Sequence, residues 1–463
     1  MEKVIKVNKM ENTPIFKLLI SMSLPMIISM FIQSLYNLVD SIYIGKFSNE
    51  ALTAVGLAFP LQNLIVAFGV GIGVGINAIL SRALGAKDFK KASDTARNGI
   101  VIVLAVAILF SLIATIITPT YMRSLSDNEN VIAYGIEYLT IINICCIGWL
   151  FAITFERLLQ STGKTIYVMI VQASGAIINI ILDYFLIFTC NLGVAGAALA
   201  TVIGQWVSAL LGLLFNIFLN KEISISFKEY KIDFKMIKEI LLIGIPSTIM
   251  SAVASLLTFL FNLILKSFHD LKIPGTDLTY GEDPKTVFGL YFKLNGIFFM
   301  PIFGLNNGLV PIIAYNYGAK RKDKIYQVVK YGRILALIMM GIGTILFMFL
   351  PEQLIALFAE SSEDSARLAL TGVNCLRIIS LSFIIAAINI IFSSLFQALG
   401  NGFYSMVISF VRQLIVLLPV AFLLSLTKQL DLVWYSYIIA EVVALGCSFY
   451  FYKRIKRNKI ENM

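Results

Sequence analysis

Charge is scarce in this chain. Asp, Glu, Lys and Arg make up 14% of its 463 residues, and histidine occurs once. Soluble domains carry roughly a quarter charged residues, so a water-soluble fold is excluded. The lone His269 stands beside Asp270 in a polar connection, where a solvated surface role is expected. An intramembrane enzyme would need a convergent set such as Ser/His or HExxH, so no catalytic residues, no cofactor and no metal beyond Na⁺ are expected. Cysteine is thin too. Cys145, Cys146, Cys190, Cys375 and Cys447 fall in or beside apolar runs without zinc spacing, and read as small core residues rather than disulfides. Nucleotide motifs are missing as well. GVGIGVG (69–75) lacks the GxGxxG spacing and a preceding strand, and STGKT (161–165) has Leu158 where a P-loop requires its first glycine. The glycines at 71 and 75 have instead the GxxxG spacing of closely packed membrane helices.

What is present is hydrophobic length. The chain is 58% apolar with mean hydropathy +0.85. Runs of about 20 residues or more, the length a helix needs to cross a bilayer, recur from end to end. About twelve can be counted: 17–44, 51–84, 98–118, 131–161, 165–190, 192–220, 237–268, 286–316, 331–350, 366–396, 403–426 and 432–452. Several exceed a straight span, which predicts tilted or projecting helices, and Pro25, Pro60, Pro246, Pro301, Pro311 and Pro419 inside them predict bends. The fold class is an all-α integral membrane protein. The first run is too long for a cleavable signal.

The net charge of +10 is not a nucleic-acid signal, because the basic residues alternate by side. One side holds Lys3, Lys6, Lys9 and Lys17, then Arg82, Lys87, Lys90, Lys91 and Arg97, the lysines from 221 to 238, Lys320, Arg321, Lys322 and Lys324, and the tail KRIKRNK. The other holds only a few, such as Lys46, Arg123, Lys272, Lys285 and Lys428. By the positive-inside rule both termini are expected in the cytoplasm of a bacterial cell, with the chain in its cytoplasmic membrane.

The chain also repeats itself. Residues 55–87 align without gaps on 288–320, so that Gly71 meets Gly304, Gly75 meets Gly308, and GAK meets GAK. LLQSTGK (158–164) meets LFQALGN (395–401), and SLP (23–25) resembles GIP (244–246). Six spans per half is even, so both halves enter the membrane in one direction. The expected organisation is a six-helix lobe over 1–220, a basic cytoplasmic linker over 221–236 and a second six-helix lobe with its tail over 237–463. The two pseudo-symmetric lobes would flank a central cleft, an arrangement suited to alternating access.

Asp40 and Asp183 interrupt two of the apolar runs. A carboxylate in hydrocarbon costs at least a few kcal/mol (~2.5 or more), so such residues mark ion, proton or polar-partner sites. Asn179 precedes Asp183 by four residues and Asn37 precedes Asp40 by three, so each amide shares a helical face with its acid. Carboxylate and amide oxygens suit Na⁺ or a proton. The bland reading of each is a hydrogen bond to a neighbouring helix. Glu156 and Arg157 sit together near the inner end of the fourth run, where a salt bridge or snorkelling competes with a coupling role. Lys293, Arg377, Arg412 and Glu441 charge the second half; Asn37, Lys293, Arg412 and Glu441 are candidates for substrate contact or lobe coupling, and Glu441 for neutralising a base.

NLVDSIYIGK, the glycine-rich second span ending in SRALGAK, NxxLD in the fifth span, GAALATVIGQ in the sixth and PIIAYNYGAK in the eighth together resemble the multidrug and toxic compound extrusion (MATE) family, in order and along essentially the whole chain. SLFQALGNG and FVRQ–LLP resemble its bacterial branch of DNA-damage-inducible-protein-like and multidrug-export members. The resemblance implies twelve helices in two lobes and efflux of small organic compounds coupled to entry of Na⁺ or H⁺. It also implies a cation or proton site in the first lobe, at positions matching Asp40, Asn179, Asp183 and Thr201. Taken alone, Thr201 reads as a threonine bonding its own helix backbone. Aligning the halves sets Val416 and Val420 opposite Asn179 and Asp183, and Phe261 opposite Asp40, so the second lobe carries no copy of this site. Its basic residues would suit an anionic or zwitterionic cargo if they face the cleft. The expected partners are a small molecule and the bilayer, with no nucleic acid or nucleotide, and the expected state is a monomer. The rivals are a lipid-linked oligosaccharide flippase of the same wider superfamily, against which NxxLD and YNYGAK argue, and a channel, which two unlike lobes disfavour.

Overall fold

The computed structural model describes residues 8–228, 230–357 and 362–463; Lys3 and Lys6 of the basic set lie outside them. Apart from one isolated bridge between Lys272 and Thr279, the regular structure among the described residues is helical. A single turn, α1 (Lys9–Asn12), precedes α2 (Ile15–Phe47), α3 (Asn49–Gly85), α4 (Phe89–Leu125), α5 (Glu129–Ile144), α6 (Ile147–Ser161), α7 (Thr165–Tyr184) and α8 (Gly193–Phe218). Then come α9 (Phe234–Lys266), α10 (Asp283–Gly318), α11 (Lys322–Phe349), the short α12 (Pro351–Ala356), α13 (Ser362–Ala398), α14 (Gly402–Phe410), α15 (Leu418–Ser425) and α16 (Leu430–Ile455). Wide π turns at Phe185–Thr189, Val411–Leu417 and Lys456–Ile460 follow or join them.

Among the described residues eleven helical stretches are long and apolar enough to cross a membrane, twelve if α5 and α6, bent by 47° at their junction, count as one span. The protein is a multi-pass membrane protein. The long runs do project: α4 starts at Phe89, well before the apolar run at 98, because the Asp88 side chain caps it by accepting from the Lys91 N–H at 2.9 Å. The bend between α5 and α6 has no proline. It is a turn at Cys145 and Cys146 whose backbone bonds close on themselves, Cys145 N–H to Ile141 O (3.1 Å), Gly148 N–H to Cys145 O (3.1 Å) and Leu150 N–H to Cys146 O (3.1 Å). A break with satisfied backbone is tolerated in hydrocarbon.

The chain packs as two compact units. One runs up to Thr248 and adds Asn307–Ile325 and Gln397–Gly400; the other holds Ile249–Asn306, Tyr326–Phe396 and the chain from Asn401 onward. In the first unit, glycines let backbones touch. A Cβ on Gly71 would stand 2.7 Å from the Gly244 carbonyl oxygen, and one on Gly75 2.3 Å from that of Ile240. Gly85 and Gly318 face each other's helices reciprocally, their Cβ positions 1.9 Å from Tyr315 O and 2.0 Å from Arg82 O. The repeat persists in the turns: Lys87 and Lys320 both adopt left-handed backbone (φ 60° and 55°), as do Gly163 and Gly400 (81° and 74°).

The second unit has an aromatic centre. Phe261 stacks on Phe288 (4.5 Å between centroids) and lies 6.0 Å from Trp434. The position that repeats Asp40 is thus filled by a fully buried hydrophobe.

Candidate functional site

Small residues bring the acidic helix α7 against α8. A Cβ on Gly175 would meet Ser208 Oγ at 2.1 Å, and one on Gly204 the Gly175 carbonyl oxygen at 2.8 Å. That contact sets Asn179 beside Thr201. Asn179 Nδ2 lies 3.5 Å from Asp183 Oδ1 and 3.4 Å from Thr201 Oγ1. Turned so that its nitrogen donates to Asp183 Oδ2 (3.2 Å), the amide accepts from the Thr201 backbone N–H through its oxygen (3.1 Å), which satisfies both neighbours. Asp183, Asn179 and Thr201 are 0%, 3% and 8% exposed. Straight after Asp183 the helix opens into the π turn Phe185–Thr189 and then the left-handed Asn191 (φ 53°); π turns are rare and frequent at functional sites.

Asp40 approaches from α2. Its Oδ1 is buried and has no hydrogen-bond partner among the described residues, and its charge acts on Asp183, Tyr36 and Tyr138. Four sequence-derived residues therefore share one site: Asp40, Asn179, Asp183 and Thr201. Tyr36, with Gln33 beside it, and Tyr138, with Gln62 beside it, face the same charges. Neither tyrosine was legible beforehand, because aromatic residues in apolar helices look alike whether they face lipid or a site.

Next to this cluster is a cavity of about 60 Å³. At roughly 10–15 Å³ per water, that is room for a few waters or a small charged group. Asn179 and Thr201 line one part, and Gln33, Trp149, Glu156 and Gln172 line more of it. Glu156 and Arg157 do not pair. Glu156 Oε2 accepts from Gln172 Nε2 at 2.7 Å, whereas Arg157 Nη1 donates to Gln160 Oε1 (2.7 Å) and Asn307 Oδ1 (3.0 Å). Gln160 donates to the Asn307 carbonyl as well.

The other candidates lie elsewhere. Asn37 is exposed, and its carbonyl accepts from Ser41 Oγ at 2.9 Å. Lys293 is exposed on α10. In the second unit Arg412 Nη1 donates to Glu441 Oε1 at 3.1 Å, Asn389 donates to Glu441 Oε2 at 2.7 Å, and Ser448 donates to Asn389 at 2.9 Å. Arg412 is thus neutralised by Glu441. His269 is half exposed and sits 2.7 Å from Asp270.

The family model MatE matches residues 25–185 and 278–423. The multidrug export protein MepA of Staphylococcus haemolyticus is 28% identical over 440 residues, spanning 95% of this chain and 93% of that protein. MepA of Staphylococcus aureus is 27% identical over 436 residues, with 93% and 92% covered. Among solved structures, the outward-facing conformation of a multidrug resistance MATE family transporter of the MOP superfamily superposes with a TM-score of 0.90 at 25% identity, covering 98% of this chain and 99% of that one. A MOP superfamily transporter from Pyrococcus furiosus also reaches 0.90, at 24% identity with 98% and 99% covered.

Proposed function

The chain belongs to the MatE family of transporters, and we propose that it is a secondary antiporter exporting small, drug-like organic compounds in exchange for Na⁺ or H⁺. It would act by alternating access in the bacterial cytoplasmic membrane, with both termini in the cytoplasm. The observation that carries this reading is the buried union of Asp183, Asn179 and Thr201 within charge range of Asp40. The names of the MepA relatives support the export of drug-like compounds.

Either ion changes what Asp183 asks of Asn179. The amide donates to Asp183. A Na⁺ on the carboxylate needs oxygen ligands, and a proton on the carboxyl makes it a donor. To meet Na⁺ Asn179 must present its oxygen, which gives up the N–H to carboxylate bond and the contact between its oxygen and the Thr201 N–H. A protonated Asp183, by contrast, keeps an acceptor oxygen for the amide N–H and adds an O–H that needs an acceptor of its own. Ion entry therefore changes how α7 meets α8 beside the π turn. An ion that binds one packing better than the other shifts the population between inward- and outward-open states, and that shift would release the cargo.

The test uses purified protein in liposomes under an imposed Na⁺ or H⁺ gradient, with a fluorescent organic cation as cargo. Wild type is expected to move the dye against its gradient, and Asp183→Asn to remain folded while losing gradient-driven movement. Full coupled activity in Asp183→Asn would remove the residue from the mechanism.

A further inference from the structure

The chain between α8 and α9 is pinned along the start of α4. The Ser224 N–H donates to Ser93 Oγ (3.0 Å), Arg97 Nη1 to the Ser226 carbonyl (3.2 Å), and the Tyr230 hydroxyl to Asn98 Oδ1 (2.7 Å). The Asp233 N–H donates to the same Asn98 oxygen (3.1 Å), and the Arg97 guanidinium lies over the Tyr230 ring. Asn98 opens the apolar run 98–118, so the chain from Tyr230 to Asp233 is held level with the edge of the hydrocarbon. At that level large apolar side chains are left uncovered: Phe234 is 79% exposed, Ile232 52% and Phe227 46%. Lys228, Lys231, Lys235 and Lys238 are exposed among them.

Over residues 221–238 five lysines outnumber three acids, and the described acids of this region are engaged. Asp233 Oδ1 accepts from the Lys235 and Met236 N–H groups at the start of α9 (2.9 and 3.1 Å), and Asp88 caps α4. Asp94 pairs with Arg97 (2.6 Å), Glu239 with Lys91 (3.6 Å) and Glu222 with Lys164 (3.5 Å). Water solvates the exposed ammonium groups but has nothing to offer Phe234 or Ile232. A membrane surface complements both, with anionic phosphate for the lysines and the acyl boundary for the apolar side chains. We propose that Phe227, Lys228, Lys231, Ile232, Phe234 and Lys235 form a surface that binds anionic phospholipid in the adjoining leaflet, on the side expected to face the cytoplasm. The lysines would meet headgroup phosphate, and the three apolar side chains would enter the boundary beneath. This surface is separate from the ion cluster and from the cavity beside it.

The test places a reporter in the surface. Full-length Phe234→Trp is reconstituted into phosphatidylcholine liposomes containing dibrominated phosphatidylglycerol or dibrominated phosphatidylcholine, whose acyl bromines quench indole on contact. The signal of the protein with Phe234 intact is subtracted to remove Trp149, Trp206 and Trp434. The added tryptophan is expected to be quenched by both lipids and spared by aqueous iodide. Its relative binding constant should favour phosphatidylglycerol by at least about fivefold, the contribution of one lysine at an anionic surface. Lys228→Gln, Lys231→Gln and Lys235→Gln together should bring that ratio near one while quenching by phosphatidylcholine stays, and arginine at the same three positions should keep it. With the lysines intact, raising salt from about 0.1 M to about 1 M shortens the screening length from about 10 Å to about 3 Å and should lower the ratio. The proposal is overturned if iodide and not bromolipid quenches the tryptophan, if the ratio with the lysines intact is near one, or if the glutamine variant keeps the preference. Lipid contact is read without a gradient or a cargo, so its failure leaves the antiport reading untouched.

Discussion

Replacing Gly85 by alanine puts a methyl group where the next helix already has backbone. The new carbon would stand 1.9 Å from Tyr315 O and 3.0 Å from the Ala319 nitrogen. A carbon and a carbonyl oxygen settle at about 3.3 Å or beyond, so α3 and α10 must part by more than an ångström. Neither neighbour is a flexible side chain that can swing aside. Overpacking of this kind costs about 1–3 kcal/mol, and rigid neighbours favour the upper end. At roughly 2–4 °C per kcal/mol for a unit of this size, melting should fall by about 6–12 °C. Gly318→Ala should do the same, since its carbon would meet Arg82 O at 2.0 Å. The two are not independent. Once one alanine has separated the helices, the second finds room, and the double variant should fall short of the sum by about 1 kcal/mol or more. Gly56→Ala, with nothing within 4 Å, is the control and should match or slightly exceed wild type. Melting is read by size-exclusion chromatography after heating. Additive losses, or a Gly85→Ala protein that melts like wild type, would refute the reasoning.

Burial holds the Glu222 carboxyl above the ordinary glutamate range, against the smaller opposing pull of Lys164 and Asn8. A folded state that holds the proton more tightly than the unfolded chain loses stability as pH rises from about 4.3 through the folded value. Melting of wild type relative to Glu222→Gln should therefore turn against wild type as pH climbs; the opposite slope would contradict the assignment. Arg412→Met leaves Glu441 buried with only its Asn389 bond, at a cost of about 3 kcal/mol, and adding Glu441→Gln should recover most of it. A neutral Arg412→Met variant would mean the pair does not hold α16 in place.

Much of the fold could be read from the sequence because hydrocarbon demands long apolar helices, and those runs are unmistakable. The repeat was equally plain in its glycines, and it reaches the dihedrals of Lys87 and Lys320. The break at Cys145 and Cys146 was hidden, since the run 131–161 is uniformly apolar and no proline marks it. In the site, the pairing of Asn179 with Asp183 follows from four-residue spacing on one helix. That Asp40 and Thr201 reach the same place depends on helix packing, which periodicity does not encode and only the family resemblance anticipated. The facing directions of Glu156 and Arg157 were invisible for the same reason: neighbours on a helix point about 100° apart, and only the surrounding helices decide what each one meets.

The elbow between α5 and α6 has a mechanical consequence. Because its backbone bonds are closed, α6 is a stiff rod of 15 residues, about 22 Å long at 1.5 Å per residue. One end is tied through Arg157 and Gln160 to Asn307, and Glu156 is the very next residue inward. A rod does not stretch, so any push delivered at Asn307 arrives at Glu156 undiminished, as a displacement of the whole helix. The cavity wall and the Asn307 contact are two handles on one crank.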